Sequence, residues 1–164
     1  MQINLLLPSL IHIFVHRFGP NRQGEDNTLN CKAINRANKK MKRIIASPAA
    51  PAAVGPYSQA VENNGTLYIS GQLPIDGATG AMPDGIEAQT RQSLTNIGHI
   101  LREAGYDFCD IVKTTVLLQH IADFAAMNKV YAEFFTADMP ARVCFEVAAL
   151  PKGALVEIDA VAVK

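Results

Sequence analysis

Arg142 stands in the stretch Pro140-Ala141-Arg142-Val143-Cys144-Phe145-Glu146-Val147, whose composition predicts a strand. A guanidinium carried on a rigid strand can aim its planar fork at a carboxylate and form two parallel hydrogen bonds. Cys144, two residues on, shares the arginine's face and is a candidate to line the same site. No basic partner for a nucleophilic thiolate is identifiable. Glu157 lies in a second strand-like stretch, Leu155 to Val163. Its carboxylate could orient a water, or pair with Arg142 in an interface, and on these two residues alone the structural ion pair is the favoured reading. Tyr57 closes the run Val54-Gly55-Pro56-Tyr57 after the Ala/Pro tract Pro48 to Ala53, so it arrives on an irregular loop.

Other chemistries lack their motifs. The chain has no Gly-x-x-x-x-Gly-Lys-Ser/Thr loop, His-Glu-x-x-His, Gly-x-Ser-x-Gly or helix-opening Gly-x-Gly-x-x-Gly. Gly77-Ala78-Thr79-Gly80 lacks the flanking helices and basic surroundings of a nucleic-acid clamp and reads as a loop. His99 and His120 sit at the end of one predicted helix and just before the next, where solvated or satisfied histidines are ordinary. Cys109 reads as a small buried hydrophobe. Cys31, Cys109 and Cys144 are odd in number and widely spaced, which argues against a disulfide framework and structural zinc and for a reducing compartment.

The elements that must position these residues follow from periodicity. Asn63-Asn64-Gly65-Thr66 predicts a type I′ hairpin between Ala60-Val61 and Leu67-Tyr68-Ile69. Asp84, three residues before Glu87, is placed to cap a helix carrying Leu94, Ile97, Leu101 and Ala104, with Gly105 ending it. Ile111 to Leu118 reads as a buried strand. A second helix from near Asp123 puts Phe124, Met127, Tyr131 and Phe134 on one face, a core stripe. Strands over Ala141 to Val147 and Leu155 to Val163 follow, separated by a turn with Pro151 and Gly153. The order predicts an α+β layer with two helices on one face of a sheet. Val161 and Val163 oppose Val156, Ile158, Ala160 and Ala162 on the last strand, so its second face points to burial against another subunit.

The 164 residues balance 15 bases against 15 acids, so total charge favours neither nucleic acid nor an anionic membrane. The first forty carry six bases and two acids, an excess of +4 that leaves −4 on the rest. The apolar run Leu5 to Val15 is short and broken by Pro8, unsuited to a membrane span or a secretory signal. Regular patterning begins at Met41, so residues 1–40 read as an extension outside the fold and 41–164 as one domain. A cytoplasmic location is expected, with a mitochondrial presequence the lesser alternative.

Val54-Gly55-Pro56-Tyr57, Leu67-Tyr68-Ile69-Ser70-Gly71-Gln72-Leu73-Pro74 and Pro140-Ala141-Arg142-Val143-Cys144, with Leu155-Val156-Glu157-Ile158 downstream, resemble the reactive intermediate deaminase (Rid, or YjgF) family, RidA type. The resemblance covers Met41 to the C-terminus with its blocks in order. It implies a chorismate-mutase-like fold, two helices on one face of a mixed β-sheet, assembled as a homotrimer with barrel-like packing and clefts between subunits. It implies hydrolysis of enamine and imine acids such as 2-aminoacrylate to 2-keto acids and ammonia, as a 2-iminobutanoate/2-iminopropanoate deaminase type hydrolase, without metal or cofactor. Arg142, Glu157 and Tyr57 would be catalytic, Arg142 clamping the substrate carboxylate and Glu157 orienting the water, while Ser70, Gly71, Asn128 and Cys144 would bind substrate. Beside this stand a noncatalytic metabolite-binding trimer and an endoribonuclease or translation inhibitor, the latter ill served by a charge of −4.

Overall fold

The protein is described by a computed structural model over residues 42–164. The run Leu5 to Val15, His12, His16, Cys31 and the proposed junction at Met41 lie outside the described residues. In chain order come β1 (Arg43–Ile45), β2 (Ala60–Asn63), β3 (Thr66–Gln72), α1 (Ile86–Ala104), β4 (Ile111–Leu118), α2 (Phe124–Phe134), β5 (Ala141–Glu146) and β6 (Val156–Val163). The six strands form one sheet in the order β1-β2-β3-β6-β4-β5. Every pairing is antiparallel except β4 with β5, which run parallel because α2 carries the chain back across the sheet between them. The sheet is therefore mixed, and both helices cover the same face.

The hairpin forms as its turn chemistry requires, with Asn64 and Gly65 at φ 55° and 76°. The C-terminus of α1 closes on Gly105 at φ 82°, whose N–H reaches the carbonyls of Arg102 and Leu101. Leu94, Ile97 and Leu101 are fully buried on the sheet-facing side of α1, where truncating a leucine to alanine costs about 2–5 kcal/mol. They meet the inner face of β6, on which Val156, Ile158, Ala160 and Ala162 are all buried. Met127, Val130 and Tyr131 bury α2, and Tyr131 Oη shares a 2.8 Å hydrogen bond with Thr114 Oγ1 of β4.

Among the described residues, no helix covers the outer face of the sheet. Tyr68 and Phe145 are 54% and 48% exposed, and Ile44, Val143 and Val163 are exposed beside them. So many apolar side chains on one open sheet face is the signature of an association surface.

Four expectations need correction. Asp84 does not cap α1: the chain enters through Gly85 at φ 81°, a conformation suited to glycine, which makes Gly85 the N-cap with no side-chain hydrogen bond. Glu87 instead pairs with Lys129 of α2 at 3.2 Å. Cys109 is exposed rather than buried. It sits on a 3₁₀ turn, Phe108–Asp110, held by a reciprocal Asp107–Asp110 capping box. That turn directs Phe108 inward against Phe134 and Phe135, leaving its neighbour outside. Phe124 is exposed, since it opens α2 beyond the cover of the sheet. β4 is buried on alternate residues rather than throughout, because its outer face belongs to the open side. The short β1 had no sequence signal.

Candidate active site

β3 and β6 lose register between Ile69 and Gln72. Ile69 faces Ala160 and Gln72 faces Ile158, so β3 holds one extra residue over this interval. Such a bulge re-aims the side chains around it. Ile69 and Gln72 are both buried, and between them Ser70 and Gly71 are left next to Glu157 of β6. A cleft of about 440 Å³ opens there. Pro51, Ala52, Val54, Leu73, Ile75 and Pro151 give it apolar walls, while Tyr57, Ser70, Gly71 and Glu157 meet at its polar part.

Each of these four is set by local structure. Ser70 Oγ donates to the Ser58 carbonyl at 2.7 Å and Ser70 N donates to the Gln59 carbonyl at 3.0 Å, which ties the bulge to the loop bearing Tyr57. The Tyr57 ring lies along Gly55, and its hydroxyl accepts from Val54 N at 3.4 Å. Gly71 leaves room for the glutamate: a Cβ there would fall on Glu157 Oε1 and lie 2.9 Å from its Cδ. Burial, and then the charge of Asp159 two residues along the strand, push the Glu157 carboxyl above the usual glutamate range. A carboxylate made more basic in this way is suited to take a proton from water. Gly71→Ala is expected to displace that carboxylate and lower kcat about 10-fold, with the unfolding temperature little changed. Single-turnover rates beside a thermal melt check it.

Arg142, Cys144 and Asn128 are not in this cleft. Register pairs Arg142 with Thr114 and Cys144 with Val116, both inner-face residues, whereas Glu157 pairs with Leu117 on the outer face. Arg142 and Glu157 of one chain therefore point to opposite sides of the sheet and form no ion pair. The Arg142 guanidinium carbon lies 4.6 Å from the Tyr131 ring centroid and 5.7 Å from that of Phe124. These rings hold the fork by cation–π contact, and among the described residues no carboxylate bridges to it. Asn128 is half-buried on α2, four residues after Phe124 and three before Tyr131, hence on the same helical face. Burial raises the Cys144 thiol, and the nearby Arg142 only partly offsets it, an environment that works against a thiolate nucleophile.

The sequence reading missed Phe124 and Tyr131 as the seat of Arg142; their spacing from Asn128 was the available signal. It also missed Gln59, a buried residue two places after Tyr57, whose position beside a quoted block was its only mark. No cluster of three or more His, Cys, Asp or Glu suited to a metal occurs among the described residues.

Fold and cleft together define a class: a small α+β protein with two helices on one face of a mixed sheet and a cleft at a bulge in that sheet. The chain belongs to the family described as Endoribonuclease L-PSP, matched over residues 47–164, the family also known as YjgF or Rid. It is 54% identical over 125 residues to the 2-iminobutanoate/2-iminopropanoate deaminase of Capra hircus, an alignment spanning 76% of this chain and 91% of that one. To the protein of the same name from Salmonella typhimurium it is 48% identical over 127 residues, spanning 76% and 99%. Among solved structures it is similar to E. coli TdcF with bound serine, at a TM-score of 0.73 and 42% identity, covering 75% of this chain and 99% of that one.

Proposed function

We propose that this protein hydrolyses enamine and imine acids of the 2-aminoacrylate kind to 2-keto acids and ammonia, at sites built between the copies of a closed homotrimer. The observation that carries the reading is the division of the site residues. One surface has a cleft ending in a carboxylate raised in basicity, the opposite one a guanidinium fork that no carboxylate bridges among the described residues, and neither makes a site alone. Stacking copies so that the fork of one reaches the cleft of the next uses two different patches. Such a head-to-tail contact closes as a ring when the rotation between copies closes. It also covers the apolar outer face, and three copies are the number the family resemblance implies.

In this reading the guanidinium of Arg142 from one copy grips the substrate carboxylate, and the apolar walls receive its side chain. 2-Aminoacrylate takes a proton at its terminal carbon and loses one from nitrogen, giving the imine. Water then adds across the C=N bond, with Glu157 accepting the proton that the oxygen sheds and the nitrogen gaining one. Collapse of the carbinolamine expels ammonia and leaves the ketone, so one water is consumed for each ammonia released. Imines hydrolyse unaided in water, so holding the acid and placing water and base account for the acceleration. The bound serine of TdcF, an α-amino acid with the same three carbons as 2-aminoacrylate, fits a site of this chemistry. Residues 41–164 are taken as the functional unit and the cytoplasm as its place; no helix among the described residues is long and apolar enough to cross a membrane.

The test generates 2-aminoacrylate and 2-iminobutanoate in situ from amino acids, measures keto acid and ammonia above the spontaneous rate, and determines solution mass by light scattering. Accelerated release by a species of three chain masses is expected. No acceleration, with saturable binding of a small carboxylate, would give the noncatalytic reading. Cleavage of RNA by the same preparation would give the endoribonuclease reading.

A further inference from the structure

Loops rather than regular elements make most of the cleft wall, so their backbone groups need partners from elsewhere. Three carboxamides, all buried, supply them. Gln59 accepts from Ser47 N at 2.6 Å and donates to the carbonyls of Ser47, Ala50 and Pro51 at 3.2, 3.3 and 2.7 Å, fastening the loop that leads into Ala52, Val54 and Tyr57. Asn96, fully buried on α1, donates to the carbonyls of Leu73 and Ile75 at 3.1 and 2.9 Å and is itself held by Gln92 at 2.9 Å. Gln89, seven residues earlier and on the same side of α1, donates to the Pro83 carbonyl at 2.9 Å and accepts from Leu155 N at 2.8 Å, two residues before Glu157.

We infer that Gln59, Asn96 and Gln89 are positioning residues for the reaction, the first two fixing the walls that receive the substrate and the third fixing the start of the strand that carries Glu157. This rests on the cleft being the imino-acid site. The roles are separable. Pro51, Ala52, Leu73 and Ile75 touch ground state and transition state alike, so slackening them weakens binding uniformly and raises KM. The Glu157 carboxylate matters as the proton moves, so shifting its strand lowers kcat.

Gln59→Met, Asn96→Leu and Gln89→Met are to be purified as the full chain and assayed with thermal melts and solution mass recorded. The first two are expected to raise KM about 10-fold with kcat within about twofold, and Gln89→Met to lower kcat about 10-fold with KM within about twofold. If either of the first two fails to fold, Gln59→Glu and Asn96→Asp keep the shape and an acceptor oxygen and are read in the same way. A merely structural role would lower the melting temperature and the active fraction while leaving KM and per-site kcat at parent values. That result, or KM and kcat moving together in all three, would overturn the inference. A parent protein that releases no keto acid above the spontaneous rate would sink the proposed function, and this inference with it, before any variant is compared.

Discussion

Arg142→Lys lowers kcat/KM for imino-acid hydrolysis about 10²-fold or more, with assembly unchanged and folding little affected. Lysine keeps the charge but loses the planar fork, so a two-pronged grip on the carboxylate becomes one flexible contact. A hydrogen bond to a charged group is worth about 1.5–3 kcal/mol, and losing one of two along with the orientation they impose accounts for that factor. The competing role is structural: Arg142 lies against Tyr131 and Phe124, and a lysine would stack on them less well. In that case the melting temperature drops and turnover per folded site survives. Keto-acid release measured beside thermal unfolding and solution mass separates the two, and near-normal turnover by a stable variant would remove Arg142 from the mechanism.

Glu157→Gln is expected to cost about 10²–10⁴-fold in kcat, the range for losing a positioned general base. Glutamine keeps the size beside Gly71 and cannot take the proton. The pH dependence gives a second handle. As a base, Glu157 must be ionised, so kcat falls as the pH falls through its pKa. Burial and Asp159 hold that pKa above the ordinary glutamate value, and in the substrate complex the bound carboxylate neutralises the arginine that would otherwise oppose them. The acidic limb of kcat therefore lies above the range of a free glutamate. Asp159→Asn removes one of the two raising causes and shifts that limb to lower pH. A limb that stays in place in Asp159→Asn, or a Glu157→Gln enzyme with kcat near the parent's, would assign the proton transfer to another group.

Local features were legible in the sequence because they are set by neighbours in the chain. The Asn64-Gly65 turn, the sheet-facing stripe of α1, Gly105 at its end and the bounds of β4 all depend on residues within a few positions of one another. The Asp84 cap failed locally too, since Gly85 alone decides how the chain enters α1. What could not be read was the pairing of distant strands. Alternation within β5 and β6 places Arg142 and Glu157 each on one face of its own strand, but only the register through β4 reveals that those faces are opposite. The bulge at Ser70 and Gly71 breaks the two-residue period that any strand reading assumes, so the gap occupied by the Glu157 carboxylate had no local sign. Gln59, Gln89 and Asn96 act on carbonyls and amides 6 to 66 residues away, beyond the reach of any spacing rule. The resemblance named the proposed site residues, and the fold adds that Arg142 and Glu157 of one chain lie on opposite faces of its sheet.

The most direct test of a site shared between copies is complementation. Arg142→Lys and Glu157→Gln chains, each inactive alone, are unfolded together in equal amounts, refolded as mixed assemblies and assayed for keto-acid release. If each site takes its arginine from one copy and its glutamate from another, random assembly gives about one site in four with both native residues, and about a quarter of the parent turnover returns. If one chain supplies both residues, no mixed assembly contains an intact site, and turnover that stays at the level of the single variants would contradict the shared site.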